Sequence, residues 1–397
     1  MKRILALLLC LTLLLPVLAF AEEEDVDLAD LVSEDVDLQL DDEGNIVLPE
    51  ENDEIDLNAA DVGPFAEMAA ENAVDDQELE INENLPEEDV VNILLIGLDY
   101  RTQKRSANQL LKDQLGDNND HVKRSDVVMI LSVDRIEGTL KLTSIARDLL
   151  VEIPGHSDGA INTAFAVRKF KNGSFHHSED RPDLLMRTVN HNFELNIKYY
   201  IATNFYGVEE IIEYFGGVDV DLTKTEANYI NSYIRQKRSR MTYDQHADNR
   251  TPLEKKDGVQ HLDGLQGLIF ARTRSIAGEN DLQRTGRTRR LLEALLHPVA
   301  EKIKNGELDP VNMMLDLSQY FVTNMNLQVM FNELWPAVRD SSIMSSLDSA
   351  SSLIEENRIP GESGFRYNGS KVQLTNKQQT VEELHEFIYG AYYSADN

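Results

Sequence analysis

Between Glu22 and Asp89 the chain carries 28 Asp and Glu and no Lys or Arg. Like charges at that density repel one another, and turn formers such as Asp41-Asp42-Glu43-Gly44 and Pro49 interrupt what apolar pattern there is. The stretch predicts a disordered, solvated acidic arm over residues 22–89. A sharper reading stays open beside it, in which the arm mimics a polyanion and competes for basic groups elsewhere. Of the chain's net charge of −32, the arm supplies 28 negative charges, so the remainder is nearly charge-balanced. Global acidity is then a poor guide to what the folded part binds. That part is long enough to bury a full core.

The texture changes at Val90. "VVNILLIG" (90–97) is a Val- and Ile-rich apolar run broken only by Asn92, which predicts a buried central strand. "DVVMILSVD" (126–134), "LKLTSIA" (140–146), "KYYIATNF" (198–205) and the alternating "VDVDL" (218–222) predict further strands. Between them, "RPDLLMRTVNHNF" and "YGVEEIIEYFGG" (206–217) have helical spacing, the second with a double-glycine stop. Residues 227–256 read as a helix running into a loop, and 261–274 as a helix followed by a short strand-like run. Residues 284–306 form a strong amphipathic helical pattern, with a kink or break expected at Pro298. The tail adds two helix candidates and a short strand near Lys371–Leu374. Strands alternating with helices predict an α/β layer architecture, and no linker divides residues 90–393.

Met1–Ala21 has a positive start at Lys2 and Arg3, an apolar run from Ile4 to Leu15, and Ala19-Phe20-Ala21 as a small-x-small cleavage site. This predicts a signal peptide, or else an uncleaved membrane anchor, since Ile4–Ala21 just reaches spanning length. Either way the rest of the chain is expected outside the cytoplasm. Cys10, the one cysteine, lies in the apolar run, so a disulfide framework and a thiolate metal site are both excluded.

The chain has no phosphate-binding G-x-x-x-x-G-K-[ST] loop, no G-x-G-x-x-G, no H-E-x-x-H, no C-x-x-C and no G-x-S-x-G elbow. His176-His177 reads as surface, and Trp335 as packing. What remains is an unusual concentration of arginine: Arg272, Arg274, Arg284, Arg287, Arg289 and Arg290 fall within twenty residues. Three Arg/Asp couples lie at predicted strand ends: Asp99 with Arg101, Arg124 with Asp126, and Arg147 with Asp148. Singly, each is explained as an ion pair closing a turn. Together they ask for a common ligand in the crevice at strand carboxyl ends. Asp126, at a strand start, needs an antiparallel neighbour to face the same way. The guanidinium fork matches phosphate oxygens, and carboxylates beside it make sense if they hold Mg²⁺ against a phosphate or diphosphate. Arg272 and Arg274 would share a side of an extended strand, and Arg284 and Arg287 a helix face. Nucleic acid is disfavoured by the address and by the acidic arm.

"ILLIGLDYR", "KRSDVVMILSVD", "LTSIARDLLVEIPG", "INTAF", "NFYGVEEIIEYFGGVDVDL" and "HLDGLQGLIFARTR…DLQRTGR" resemble, in order, the LytR–CpsA–Psr family over about residues 90–296. The most specific part is R-x-R-x6-D-x2-R-x2-R, met by Arg272, Arg274, Asp281, Arg284 and Arg287. The resemblance implies a mixed central sheet with helices on both faces and an apolar groove for a lipid. It implies transfer of a glycopolymer, such as teichoic acid or capsule, from a polyprenyl-diphosphate carrier at the membrane surface to a peptidoglycan acceptor, leaving a phosphodiester. It gives Asp99 and Asp126 to Mg²⁺, and Arg124, Arg147, Arg272, Arg274, Arg284 and Arg287 to the diphosphate. Asp148 and Asp281 would orient arginines or assist proton transfer. A pyrophosphohydrolase and a non-catalytic polyprenyl-lipid binder are the rival readings. Two departures stand out. Ala146 replaces the family's usual proline, which predicts a looser Arg147 turn, and Thr288 replaces a usual glutamine.

Overall fold

A computed structural model describes residues 79–86, 89–98, 125–134, 139–166, 168–171, 174–177, 181–237, 250–273, 310–326, 354–361, 364–369 and 371–390, with single positions at Ala69, Arg287, Arg290, Leu291, Ala294, Leu295 and Val329. Its centre is a six-stranded mixed sheet in the order β11-β8-β1-β2-β3-β12. These strands are β1 (Val90–Leu98), β2 (Ser125–Asp134), β3 (Leu140–Ile145), β8 (Tyr199–Asn204), β11 (Phe321–Thr323) and β12 (Ile354–Ile359). β1 runs parallel to β8 and antiparallel to β2; β3 is antiparallel to β2 and parallel to β12; β11 is antiparallel to β8.

Every residue of β1 is buried, as its unbroken apolar run requires. Alternation sends its side chains into two cores. Val91, Ile93 and Leu95 pack with α2 (Phe205–Tyr214), α3 (Lys224–Lys237), α4 (Gly264–Arg272), α5 (Pro310–Leu317) and helical Leu291 and Leu295. Leu94, Ile96 and Leu98 pack with α1 (Arg181–Phe193), the 3₁₀ turn Ile161–Ala166 and α6 (Lys377–Tyr389). Helices therefore cover both faces, as the resemblance implied. Asn92 sits in the second core fully satisfied: its amide donates to Asn196 Oδ1 and Tyr389 Oη at 2.8 Å each, and Ser132 Oγ donates to its oxygen at 2.6 Å.

Short two-stranded antiparallel pairs decorate this frame. β4 (Leu150–Val151) pairs β5 (Gly159–Ala160), β6 (Arg168–Lys171) pairs β7 (Ser174–His177), β9 (Val218–Leu222) pairs β10 (Gly258–Leu262), and β13 (Phe365–Asn368) pairs β14 (Lys371–Leu374). His176 and His177 fall in β7.

Three local readings of the sequence are corrected. Packed chain begins ahead of Val90: Leu79 and Leu85 are buried, Asn82 N donates to Leu195 O at 2.9 Å, and His191 pairs Glu80 at 2.8 Å. Leu79 and Leu85 join the second core beside α1, where Asn190 Nδ2 donates to Leu79 O at 3.0 Å, so residues 79–86 are packed chain. Phe205 opens α2 rather than ending a strand, because Asn204 Oδ1 accepts from Gly207 N at 2.8 Å as an N-cap. Arg272 ends α4 instead of lying on a strand. The helix starts in an Asp263/Gln266 capping box, and only its C-cap Thr273 is extended.

The signal segment, residues 22–68 of the arm, Trp335 and Thr288 lie outside the described residues. No helix among the described residues is long and apolar enough to cross a membrane.

Candidate functional site

Strand directions bring the end of β1, the start of β2 and the exit of β3 to one end of the sheet. β1 ends at Leu98, whose partner is Ser125, the first residue of β2. This antiparallel pairing meets the condition set for Asp126: a strand start can join a strand end. The register also slips there, with Gly97 opposite Val127 and Leu98 opposite Ser125, leaving Asp126 as the extra residue of a β-bulge. Bulges re-aim side chains and concentrate beside active sites. Ser125 next to it is buried, and its Oγ has no hydrogen-bond partner among the described residues. The side chain of Asp126, and Asp99, Arg124, Arg274, Asp281 and Arg284 altogether, lie outside the described residues. Asp99 and Arg124 directly follow Leu98 and precede Ser125 in the chain.

β3 runs back from β2 with Ser144 opposite Met129, so the turn Arg147–Asp148 emerges at that same end. Both side chains are about half exposed, and Arg147 Nε stands 3.6 Å from Asp148 Oδ2. Such a wide, solvated pair contributes on the order of 0–1 kcal/mol. The backbone beneath it is fixed. Ala146 N donates to Ile359 O at 2.8 Å, Leu149 N to Ala146 O at 2.9 Å, Asn162 N to Arg147 O at 3.2 Å and Val372 N to Asp148 O at 3.0 Å. The expected loosening by alanine at 146 is thus corrected. Its amide makes a hydrogen bond that proline has no proton to make.

β8 ends at Asn204 beside Leu98, and Phe205 follows at the same edge. The guanidinium carbon of Arg272 lies 3.5 Å from the Phe205 ring centroid. The guanidinium lies over the ring, where an apolar face positions it without itself accepting a hydrogen bond from its N–H groups.

Arg287 goes elsewhere. It is 2 % exposed and donates from Nε to Glu226 Oε1 at 2.8 Å and from Nη1 to Thr273 O at 3.3 Å. Arg290 joins it on Glu226 Oε1 at 2.5 Å while covering the Phe270 ring at 4.9 Å. Glu226 Oε2 accepts from Thr223 N at 2.9 Å, in a capping box with Glu226 N on Thr223 Oγ1 at 3.2 Å. Burial alone would raise the Glu226 pKa, but Arg290, the Thr223 amide and Arg287 outweigh it, and the carboxyl is held below its ordinary 4.5. In this arrangement Arg287 fixes the exit of α4, where Arg272 and Arg274 follow one another.

Phe205 and Glu226 were not singled out from the sequence. T-x-x-E at Thr223–Glu226 signals the cap, but nothing local signals that its other oxygen receives two arginines from far along the chain. Among the described residues no cluster of three or more His, Cys, Asp or Glu is placed to hold a metal.

The LytR_cpsA_psr family model matches residues 63–386. The chain belongs to the LytR–CpsA–Psr family. Its start at residue 63 agrees with packed chain ahead of Val90. Among relatives within this LytR–CpsA–Psr set, the chain is 31 % identical over 225 residues to the polyisoprenyl-teichoic acid–peptidoglycan teichoic acid transferase TagU of Oceanobacillus iheyensis, covering 57 % of this chain and 56 % of that protein. It is 24 % identical over 301 residues to the corresponding transferase TagT of Bacillus subtilis, covering 75 % of this chain and 78 % of TagT. The chain thus spans little more than half the length of the first of these. A solved structure of TagT bound to LIIa-WTA is 23 % identical, with 78 % of this chain and 92 % of that one covered at a TM-score of 0.46.

Proposed function

We propose that this LytR–CpsA–Psr protein is a glycopolymer phosphotransferase working outside the cytoplasm at the membrane surface. It takes a glycopolymer of the teichoic acid or capsule kind from a polyprenyl-diphosphate carrier and passes it to peptidoglycan. The observation that carries this reading is the single sheet end at which the Arg147–Asp148 turn, the bulge at Asp126 and Arg272 on Phe205 come together. The names of the relatives supply the substrate class, and the apolar, positively headed Met1–Ala21 supports the address.

In the proposed step an acceptor sugar hydroxyl attacks the phosphorus that bears the glycopolymer. The P–O bond to the second phosphate breaks, polyprenyl phosphate leaves, and the hydroxyl proton passes to a carboxylate or to solvent. Arg147 and Arg272, with Arg124, Arg274 and Arg284 assigned beside them, neutralise charge that grows on the leaving phosphate. Arg287 contributes by holding the end of α4, and Asp148 and Asp281 orient neighbouring guanidinium groups. Asp99 and Asp126 are assigned to Mg²⁺. Asp99 and Asp126, next in the chain to Leu98 and Ser125, carry the hard oxygen donors that this ion would take together with phosphate oxygens. When bound, the ion supplies Lewis-acid neutralisation of the diphosphate.

The test is incubation with a short lipid-diphosphate saccharide, peptidoglycan oligomers and Mg²⁺. Transfer with release of polyprenyl phosphate is expected, and its loss in Asp99→Ala and Asp126→Ala with the fold intact. Free sugar phosphate without transfer would make the chain a pyrophosphohydrolase. Tight lipid binding without turnover would make it a carrier.

A further inference from the structure

Among the described residues three large apolar side chains stand exposed, and two are neighbours: Phe365 at 36 % and Tyr367 at 74 %. They alternate along β13 and therefore share one face of its hairpin with β14. Their rings meet edge to face, with centroids 5.7 Å apart and planes at 86°. Across the hairpin their partners are Leu374 and Val372, both half-buried against the core. Arg366 lies on the other face, where it donates to Gln373 Oε1 at 3.3 Å. The two rings thus continue an apolar face outward past the point where the core covers it.

What gives the pair meaning is its attachment. Val372 N donates to Asp148 O at 3.0 Å, and Leu149 bridges Val372 in parallel. The hairpin is therefore a strand extension of the candidate site's own turn. Tyr367, opposite Val372, lies two strand spacings from the Asp148 backbone, on the order of 10 Å. Because the bridge is parallel, the Asn368–Lys371 end of the hairpin flanks Arg147, and the Phe365 end points away.

The geometry points to Phe365 and Tyr367 as a stacking platform for hexopyranose residues carried next to the diphosphate. This rests on the proposed transferase reading, which supplies the saccharide. The aliphatic C–H face of a pyranose carries partial positive charge and meets the negative face of an aromatic ring. Edge-to-face packing holds the Tyr367 ring against Phe365 without covering both of its faces. A lipid surface is the weaker occupant. The turn of the hairpin carries Asn368, Gly369 and Lys371, and the apolar rings sit on its side and not at its tip, so it makes a poor wedge into acyl chains.

The experiment is calorimetric titration of the full chain and of Tyr367→Ala, Tyr367→Trp and Phe365→Ala. The probes are N-acetylglucosamine oligomers, soluble peptidoglycan fragments, a sugar 1-phosphate, inorganic pyrophosphate and phosphatidylcholine–phosphatidylglycerol vesicles, each added alone so that donor and acceptor never meet. Oligosaccharide binding should weaken about tenfold in Tyr367→Ala, roughly 1.4 kcal/mol, and return in Tyr367→Trp, while pyrophosphate binding stays constant. A loss confined to peptidoglycan fragments assigns the platform to the acceptor, and one confined to the sugar phosphate assigns it to the donor. Unchanged saccharide affinity in Tyr367→Ala overturns the platform, as does loss of binding to phosphatidylcholine–phosphatidylglycerol vesicles in its place. A chain that binds saccharide through Tyr367 yet transfers nothing refutes the transferase reading and leaves the platform standing.

Discussion

Arg287 donates its Nε–H to Glu226 at 2.8 Å with both side chains almost fully buried. The two ends of this pair are not equivalent. Glu226 has a second cation in Arg290 and a helix cap to make through Thr223. Removing Arg287 leaves the carboxylate with a cation, whereas removing Glu226 leaves a buried guanidinium without the carboxylate that balances its charge. Glu226→Ala should cost about 3–5 kcal/mol, the range for a buried pair broken from one side, and Arg287→Ala clearly less. Urea unfolding of both variants checks this. A larger loss from Arg287→Ala would show that Arg290 does not hold Glu226 in solution.

Acid should weaken the fold in two stages. Burial, outweighing the Phe193 carbonyl and Glu194, holds the His385 imidazole below its ordinary 6.5. The unfolded chain then binds this proton more readily than the folded one, so stability is complete above pH 6.5 and falls as pH drops below it. Glu226 is held below its ordinary 4.5, so its contribution is present above that pH and is lost as pH falls through the lower folded value. His385→Gln, which can still donate to the Phe193 carbonyl, should flatten only the first stage. Unfolding free energy measured from pH 8 to pH 3 would reveal a single stage if either group is unperturbed in solution.

Ala146 makes a third test, since proline is the residue the family resemblance leads one to expect there. Ala146→Pro removes the donor to Ile359 O, which should cost about 1 kcal/mol and open the β3–β12 edge to hydrogen exchange. A rise in Tm would mean that rigidity gained at φ exceeds the hydrogen bond lost.

Much of this could be read from the sequence where one local signal suffices. The buried run at Val90, the alternation at Val218–Leu222 and the helical spacing at Arg181–Phe193 each carry their own period, and their elements form where they fall. Arg147 and Asp148 were legible as strand-end groups, and β3 delivers them to the expected edge. Misreadings occur where a cap competes with a pattern. Phe205 is strand-like by composition, but Asn204 ahead of it satisfies a free amide of the next helix. The "ARTR" run looks extended, yet apolar burial all round α4 carries the helix through Arg272. The Arg287–Glu226 pair was out of reach for another reason. It joins residues far apart in the chain, and a guanidinium written in a phosphate-binding pattern looks the same whether it meets a phosphate or a carboxylate.

The last prediction concerns how Arg272 is aimed. Its guanidinium lies over Phe205, the first residue of α2, while α4 packs antiparallel along that helix. Glycine sets their spacing. A Cβ at Gly264 would collide with the Glu209 carbonyl oxygen and stand 2.8 Å from Glu213 Cγ, and the Gly264 amide donates to Glu213 Oε1 at 2.9 Å. Gly264→Ala must therefore push α4 off α2, at about 1–3 kcal/mol for overpacking. Phe205→Leu keeps an apolar side chain there but removes the π face, a loss of about 1 kcal/mol. If Arg272 must be held over Phe205 to meet the diphosphate, Phe205→Leu should lower kcat by more than its small effect on Tm accounts for. Arg272→Lys should do the same, because an ammonium cannot reproduce the planar fork. Gly264→Ala should lower both stability and kcat, and a compensating stabilising change elsewhere should restore only the first. Turnover that merely tracks the folded fraction in all three variants would remove Arg272 from the site and leave its stacking on Phe205 as packing alone.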